Sequence, residues 1–336
     1  MWNAGIALPF LIYHQSDILY TMTQEKMSSE VIEIKIQGEQ EEKQEIHQQQ
    51  SSAAVVERHY TRPNLENTIL TALRNAGKNV DQLTVDDLAS IDEFHTRGRE
   101  ATTNLASLLN NSLQPNSHVL DVGSGIGGPS RYLASRFGCR VTGLDLVEEY
   151  CHVADSLAKR VKLDNLLTYR QGDATHIPFD DATFDVVWTQ HASMNIAYKK
   201  RFYSEMHRVL KPGGKLAIYD VFKGNNSSNI DSSTSSSIHF PVPWAPDPSI
   251  SHLISEEDAR KLLSEVIGFK EVAWEDKTES VIDWIKQMIK RAQTNGPPQI
   301  GLHVLVGPHW GDLVKNLLKN IEEGRIAVAQ GIFERS

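Results

Sequence analysis

Asp121-Val122-Gly123-Ser124-Gly125-Ile126-Gly127-Gly128 stands between an apolar run, His118–Asp121, and a helical stretch, Ser130–Phe137. Glycines between a strand and a helix let the backbone turn sharply and approach a ligand closely. The helix start behind them offers unpaired N–H groups and the positive end of its dipole. Pro129 suits the first helical turn. Cys139–Asp145 reads as the next strand, and Asp145 ends it twenty residues after Gly125. A carboxylate there is placed to take the two hydroxyls of a ribose. Gly123, Gly125 and Gly128 also satisfy the dinucleotide pattern G-x-G-x-x-G, so a nicotinamide-dependent oxidoreductase remains open on this stretch alone.

The same alternation continues outward. Glu148–Lys162 is helical, with Val153, Leu157 and Val161 on one face. Leu167–Gln171 and Phe184–Thr189 read as strands, Lys199–Leu210 as a helix and Lys215–Val221 as a fifth strand. Repeated strand–helix units with nearly continuous apolar strands mean a parallel sheet covered on both faces, an α/β doubly wound fold. Upstream, Leu65–Ala76, Asp81–Ile91 and Gly98–Leu109 have helical spacing. Downstream, a polar low-complexity loop over Gly224–Ser237 leads to a Pro-rich aromatic segment, His239–Pro248. Helices over Glu256–Val266, Val281–Ala292 and Gly311–Glu322 and strands over Lys270–Glu275 and Gly324–Glu334 complete the pattern.

Composition narrows the class. The 336 residues carry 34 Lys and Arg against 43 Asp and Glu, a formal charge of −9, with 40% hydrophobic residues. That describes a soluble globular protein without the basic face of a nucleic-acid binder. Two cysteines, Cys139 and Cys151, exclude a disulfide framework, and no His/Cys/carboxylate cluster has metal-ligand spacing. Gly5–Tyr13 is apolar but short for a bilayer, and the first cation is Lys26, so it lacks the basic flank of a signal peptide. The expectation is a cytoplasmic protein with no membrane partner. Residues 37–52 are nearly devoid of apolar side chains and are expected to be disordered.

Three further features decide between the cofactor readings. Asp121 lies two residues before the first glycine, where it can accept from a ligand's ammonium group. Gly172-Asp173-Ala174 follows the third strand, where a carboxylate can accept from an adenine amino group. Ile177-Pro178-Phe179, Phe184-Asp185-Val186-Val187 and Arg208-Val209-Leu210-Lys211-Pro212-Gly213-Gly214 follow in order. With this ordered set, residues from about Gly98 to Asp220 resemble a class I S-adenosylmethionine-dependent methyltransferase. The group is similar to ubiquinone/menaquinone C-methyltransferases, sterol methyltransferases and glycine/sarcosine N-methyltransferases. The resemblance implies a Rossmann-like, mostly parallel seven-stranded sheet whose last strand is antiparallel. It divides the chain into a disordered tail (1–54), a helical lid (55–97), an S-adenosylmethionine-binding core (98–223), a variable loop with strand six and a helical cap (224–323), and a final core strand (324–336).

The resemblance also implies roles. Asp121, Gly123, Ser124 and Gly125 line the methionine end and ribose of S-adenosylmethionine. Asp145 with Leu146 holds the ribose hydroxyls and adenine, and Asp173 with Ala174 holds the adenine. Gln190 and His191 face the methyl-transfer region. His191 is the first candidate base. His95, within Asp92-Glu93-Phe94-His95-Thr96-Arg97-Gly98-Arg99, is the second. Arg97 and Arg99 can hold a substrate carboxylate or phosphate through bidentate contacts. Trp244 can stack on a cationic amine, although core packing is the first reading for it and for His239, Phe240, His303 and Trp310. Asp185, at the start of strand four, reads as structural. The expected acceptor is a small amine or amino-acid-like metabolite, with a quinone- or lipid-like carbon or oxygen acceptor next. A dehydrogenase or a non-catalytic cofactor-binding protein is the alternative from another class. A monomer or homodimer is expected.

Overall fold

The computed structural model describes residues 53–225 and 237–336. The expected tail therefore lies outside the described residues except for its last two, which open a helix, α1, over 53–60. Most of the polar loop over 224–237 also lies outside them.

Seven strands form one sheet in the order β3-β2-β1-β4-β5-β7-β6. They are β1 (His118–Val122), β2 (Arg140–Asp145), β3 (Leu167–Gln171), β4 (Phe184–Gln190), β5 (Leu210–Lys223), β6 (Phe269–Asp276) and β7 (Ile326–Arg335). The pairs among β1 to β5 are parallel, and β7 runs antiparallel to both β5 and β6. The Rossmann-like methyltransferase topology expected from the motifs is therefore the one observed. The order reverses between β1 and β4, with Val122 facing Leu144 on one side and Thr189 on the other. In open α/β sheets that reversal leaves a crevice beyond the carboxyl ends of the strands.

Strand alternation sorts the core onto two faces. Val119, Val186, Trp188, Ala217 and Tyr219 join one apolar cluster with α4 (Arg99–Leu108), α9 (Thr278–Asn295) and α11 (Trp310–Glu322). Leu120, Val122, Val187, Leu216 and Ile218 join another with α7 (Lys199–Val209). A third cluster gathers α2 (Leu65–Asn75), α3 (Val85–Leu88), α6 (Glu148–Arg160) and α10 (His303–Val306) around Ile126 of the glycine loop. Lid, cap and glycine loop thus share one core.

Local departures have physical causes. The expected helix over Asp81–Ile91 contracts to Val85–Leu88 because Thr84 and Asp87 cap each other there. Strand five starts early, at Leu210, and carries Pro212 and Gly213 within a register shift against β4. Helix α10 was not visible as a periodic segment because it is a single turn. Among the described residues no helix is long and apolar enough to cross a membrane.

The lid reaches the glycine loop through one close approach. A Cβ on Gly128 would sit 2.1 Å from the Asp92 carbonyl oxygen, so backbone meets helix α5 (Gly128–Phe137) directly. Beside it Asp92 Oδ2 accepts from Arg131 Nη2 at 2.9 Å, and both side chains are fully buried. Gly128→Ala will destabilise the protein by roughly 1–3 kcal/mol through overpacking. Gly311→Ala, where a Cβ would meet nothing within 4 Å, will cost nothing measurable or stabilise slightly. Urea denaturation of the two variants checks the contrast.

Candidate active site

The sheet sets four polar side chains along one edge. Asp121 lies one residue before the end of β1, Asp145 ends β2, Asp173 follows β3 and Gln190 ends β4. Gly123 and Gly125 hold φ of +74° and +53°, a region where a side chain is strained, and so turn the chain between β1 and α5. The loop is pinned from β2. Gly123 N and Ser124 N donate to Leu144 O at 2.8 and 3.1 Å, and Gly125 N donates to Asp145 Oδ2 at 2.7 Å. Asp145 Oδ1 accepts from Val147 N at 2.9 Å. Each carboxylate oxygen keeps a further lone pair for a ligand hydroxyl. Leu146 and Ala174 are half-buried nearby. Asp173 Oδ1 accepts from the backbone and hydroxyl of Thr175, both at 2.8 Å.

The electrostatics of this edge are unusual. Burial pushes the Asp121 carboxyl up to about 7, and the charges of Asp145 and Glu93 add to the rise; the Ser130 hydroxyl, donating at 2.6 Å, works against it. Burial pushes Asp145 up to about 6 against the pull of the Val147, Gly125 and Leu146 N–H groups. Two neighbouring carboxylates are therefore buried short of positive charge, a setting relieved by a cationic ligand. Ser124 Oγ is buried with no partner among the described residues. These features fit an adenosyl sulfonium bearing an ammonium group. Among the described residues no group of three His, Cys, Asp or Glu side chains could hold a metal ion.

His191 follows β4 in the left-handed region, φ +48°. Its ring stacks on Tyr219 with centroids 5.0 Å apart and planes 21° apart. Its Nε2 lies 3.3 Å from Thr96 Oγ1, which also meets Tyr219 OH at 2.7 Å. Burial holds the imidazole well below its ordinary value, and nearby His95 lowers it further. His191 nonetheless keeps part of its surface accessible.

His95 is differently placed. Its Nδ1 faces Thr96 O at 3.2 Å and its Nε2 faces Glu93 Oε2 at 2.9 Å, so both nitrogens are taken. Glu93 also accepts from Arg99 Nε and, at 2.7 Å, from Thr102 Oγ1. His95, the second candidate base, thus has both ring nitrogens within hydrogen-bonding distance of neighbouring oxygens of its own segment. Gln190 Oε1 accepts from Trp188 Nε1 at 2.9 Å and Thr102 Oγ1 at 3.2 Å, while its buried Nε2 has no partner among the described residues.

The substrate candidates differ as well. Arg99 pairs with Glu93 and approaches the exposed Asp86 carboxylate at 3.4 Å, its guanidinium lies 5.1 Å from the Tyr132 ring centroid, and its buried Nη2 has no partner among the described residues. Trp244 is buried, donating from Nε1 to Ser251 Oγ at 3.0 Å, which is the core role first read for it. Arg97 is buried beside Tyr219. Asp185 accepts from His118 N at 2.8 Å and pairs with Lys211 at 2.7 Å, a structural role.

Three residues escaped sequence reasoning. Tyr60 OH donates to Asn195 Oδ1 at 2.9 Å, and Tyr150 OH donates to Tyr60 O at 2.9 Å. Asn195 Nδ2 donates to Trp244 O and Ile250 O, both at 2.8 Å. This chain of bonds ties α1 to the turn after β4 and to the Pro-rich segment. Its partners are far apart in sequence, and no local spacing announces them.

Comparison with known proteins agrees with this geometry. Residues 120–218 match the family model described as a methyltransferase domain. The sarcosine/dimethylglycine N-methyltransferase of Halorhodospira halochloris is 29% identical over 181 residues, 54% of this chain and 61% of that protein. The sterol 24-C-methyltransferase erg6 of Schizosaccharomyces pombe is 37% identical over 108 residues, 32% of this chain and 29% of that protein. The chain thus spans less than two thirds of the curated relatives it matches. A crystal structure of a putative sarcosine dimethylglycine methyltransferase from Galdieria sulphuraria superposes with a TM-score of 0.57 at 24% identity, covering 71% of this chain and 85% of the other. In sheet order, in the glycine turn at the order reversal and in the matched domain over residues 120–218, this chain is similar to the class I S-adenosylmethionine-dependent methyltransferases.

Proposed function

We propose that this chain transfers a methyl group from S-adenosylmethionine to a small amine or amino-acid-like acceptor. The observation that carries the reading is the pair of buried carboxylates, Asp121 and Asp145, beside the glycine turn, both raised by burial. Asp121 accepts from the ammonium of the methionine part. Asp145 accepts from the ribose hydroxyls, and Asp173, Ala174 and Leu146 border the adenine. Gly123, Ser124 and Gly125 give backbone contact, and Gln190 Nε2 is the donor left over beside the transfer region. When bound, S-adenosylmethionine supplies an electrophilic methyl on a sulfonium. The protein's share is alignment, exclusion of water and removal of a proton from the acceptor. His191 fits the last task in the tautomer whose Nε2 donates to Thr96 Oγ1, leaving Nδ1 to accept. Phe94, packed against Gly125 and with its ring centroid 5.7 Å from that of Tyr150, covers the glycine turn against water.

The sterol relative supports a second reading, a lipid- or quinone-like carbon or oxygen acceptor. Transfer of labelled methyl to a panel of amines, phenols and quinols separates the two. Equilibrium binding of S-adenosylhomocysteine, with none of NAD, separates both from an oxidoreductase; the reverse result would sink the methyl-transfer reading.

Three outcomes are expected. Asp145→Ala weakens S-adenosylmethionine binding by a factor on the order of 10 to 100, through loss of charge-assisted ribose bonds; isothermal titration reads this directly. His191→Ala lowers kcat by roughly 10²-fold or more and leaves S-adenosylhomocysteine affinity nearly unchanged; equal losses would make it structural. The third concerns pH. The folded Asp121 carboxyl, at about 7, sits above its unfolded value near ~3.9. Its contribution to stability is therefore complete at low pH and lost as pH rises through about 7. Wild type should lose stability relative to Asp121→Asn between pH ~4 and ~7, while its S-adenosylmethionine affinity rises over the same window. A flat difference between the two unfolding curves would place Asp121 elsewhere.

A further inference from the structure

Arg97 carries a charge in a place that gives it little support. The residue is 5% exposed. Its Nη2 donates to Glu100, whose own side chain is 61% exposed, and its Nη1 is buried with no partner among the described residues. Beyond Glu100 and the Tyr219 hydroxyl, the buried Nη1 of this guanidinium has no acceptor, which is costly unless a ligand supplies one. The guanidinium lies against the Tyr219 hydroxyl. That hydroxyl meets Thr96 Oγ1 at 2.7 Å, and the same oxygen lies 3.3 Å from His191 Nε2. The backbone adds an independent sign. Arg97 and His191 hold φ of +63° and +48°, a region costly for any side chain other than glycine. Residues held so collect at ligand clamps and reactive centres. Both flank the same Thr96–Tyr219 pair.

We infer that Arg97 and Tyr219 form the anion-holding end of the acceptor pocket, so that the acceptor is compact and carries a carboxylate or phosphate a few bonds from the atom that receives the methyl. The inference rests on the methyl-transfer reading for the word acceptor, and on Arg97 alone for the anion. Arg97 Nη1 supplies a charge-assisted bond, and the Tyr219 hydroxyl a second donor once it turns from Thr96. Arg99 also keeps a buried, unpartnered Nη2, but its Nε is held by Glu93, and neither strained backbone nor contact with the Thr96–Tyr219 pair marks it.

The test uses the full chain saturated with S-adenosylhomocysteine and titrated at constant ionic strength with sodium acetate and, separately, inorganic phosphate, followed by calorimetry or NMR line broadening. At least one anion should bind saturably. Its affinity should fall tenfold or more in Arg97→Gln, recover in part in Arg97→Lys, and fall several-fold in Tyr219→Phe. Preference for acetate identifies a carboxylate acceptor, and preference for phosphate a phosphorylated one. Absence of saturable binding to wild type, or affinities within twofold across folded variants, overturns the inference. If Arg97→Gln does not fold, Tyr219→Phe decides alone by the same criterion. Failure of wild type to bind S-adenosylhomocysteine would overturn methyl transfer instead. The anion titration repeated without it would still read this subsite.

Discussion

Two carboxylates buried at the tips of neighbouring strands set the terms for this molecule. Asp121 and Asp145 end or nearly end β1 and β2, which pair in parallel register, so the sheet itself forces them together. Left alone they repel, and burial drives both toward the neutral form. The fold tolerates this because Asp145 does a second job: it accepts from Gly125 N and Val147 N, and so fixes the turn that opens the crevice. The group that shapes the site is thus also a group that needs a ligand. An apolar side chain at 145 would relieve the electrostatic cost but leave the backbone donors of Gly125 and Val147 unpaired.

The lid answers the same pressure from the other side. Asp92–Arg131 is a fully buried ion pair, and a pair of this kind is weak evidence for stability but strongly destabilising once one partner is removed. Its value here is positional. It locks the stretch before Phe94 onto the start of α5, next to the glycine turn, at a spot where Gly128 leaves room for backbone. From that anchor Glu93 draws His95, Arg99 and Thr102 into one network, while Thr96 and Arg97 are left facing Tyr219 and His191. Adjacent residues of one short segment therefore divide between bracing the lid and facing the site.

That division explains what could be read from the residues alone. The parallel strands and the places of the carboxylates at 121, 145 and 173 were legible because each is announced locally, by a strand pattern, a glycine turn or an acidic residue at a fixed offset, whereas the antiparallel last strand came only with the family resemblance. The segment 92–99 was visible as charged and close to the pocket, but its chemistry was not. His95 and His191 are both histidines near a predicted ligand edge. Only the Glu93 carboxylate at one nitrogen of His95 and the Thr96 carbonyl at the other distinguish them, and those contacts depend on a backbone path no spacing encodes. Arg97 and Arg99 are equally basic in sequence; Tyr132 and Asp86, from elsewhere in the chain, claim the second. Tyr60 and Asn195, 135 residues apart, had no signal at all.

The left-handed conformation of His191 bears on why a histidine rather than a smaller residue stands there. Glycine or asparagine would take φ +48° with less strain. The strained backbone persists because the ring is held from two sides, by stacking on Tyr219 and by Thr96 Oγ1. Tyr219 belongs to β5 and Thr96 to the lid, so the ring is oriented only when lid and sheet are assembled. The position of the His191 ring is then coupled to the segment anchored by Asp92–Arg131: displacing that segment removes Thr96 and, with it, one of the two contacts that hold the ring. Ring orientation and the packing of this segment on the glycine turn are therefore gained together or lost together.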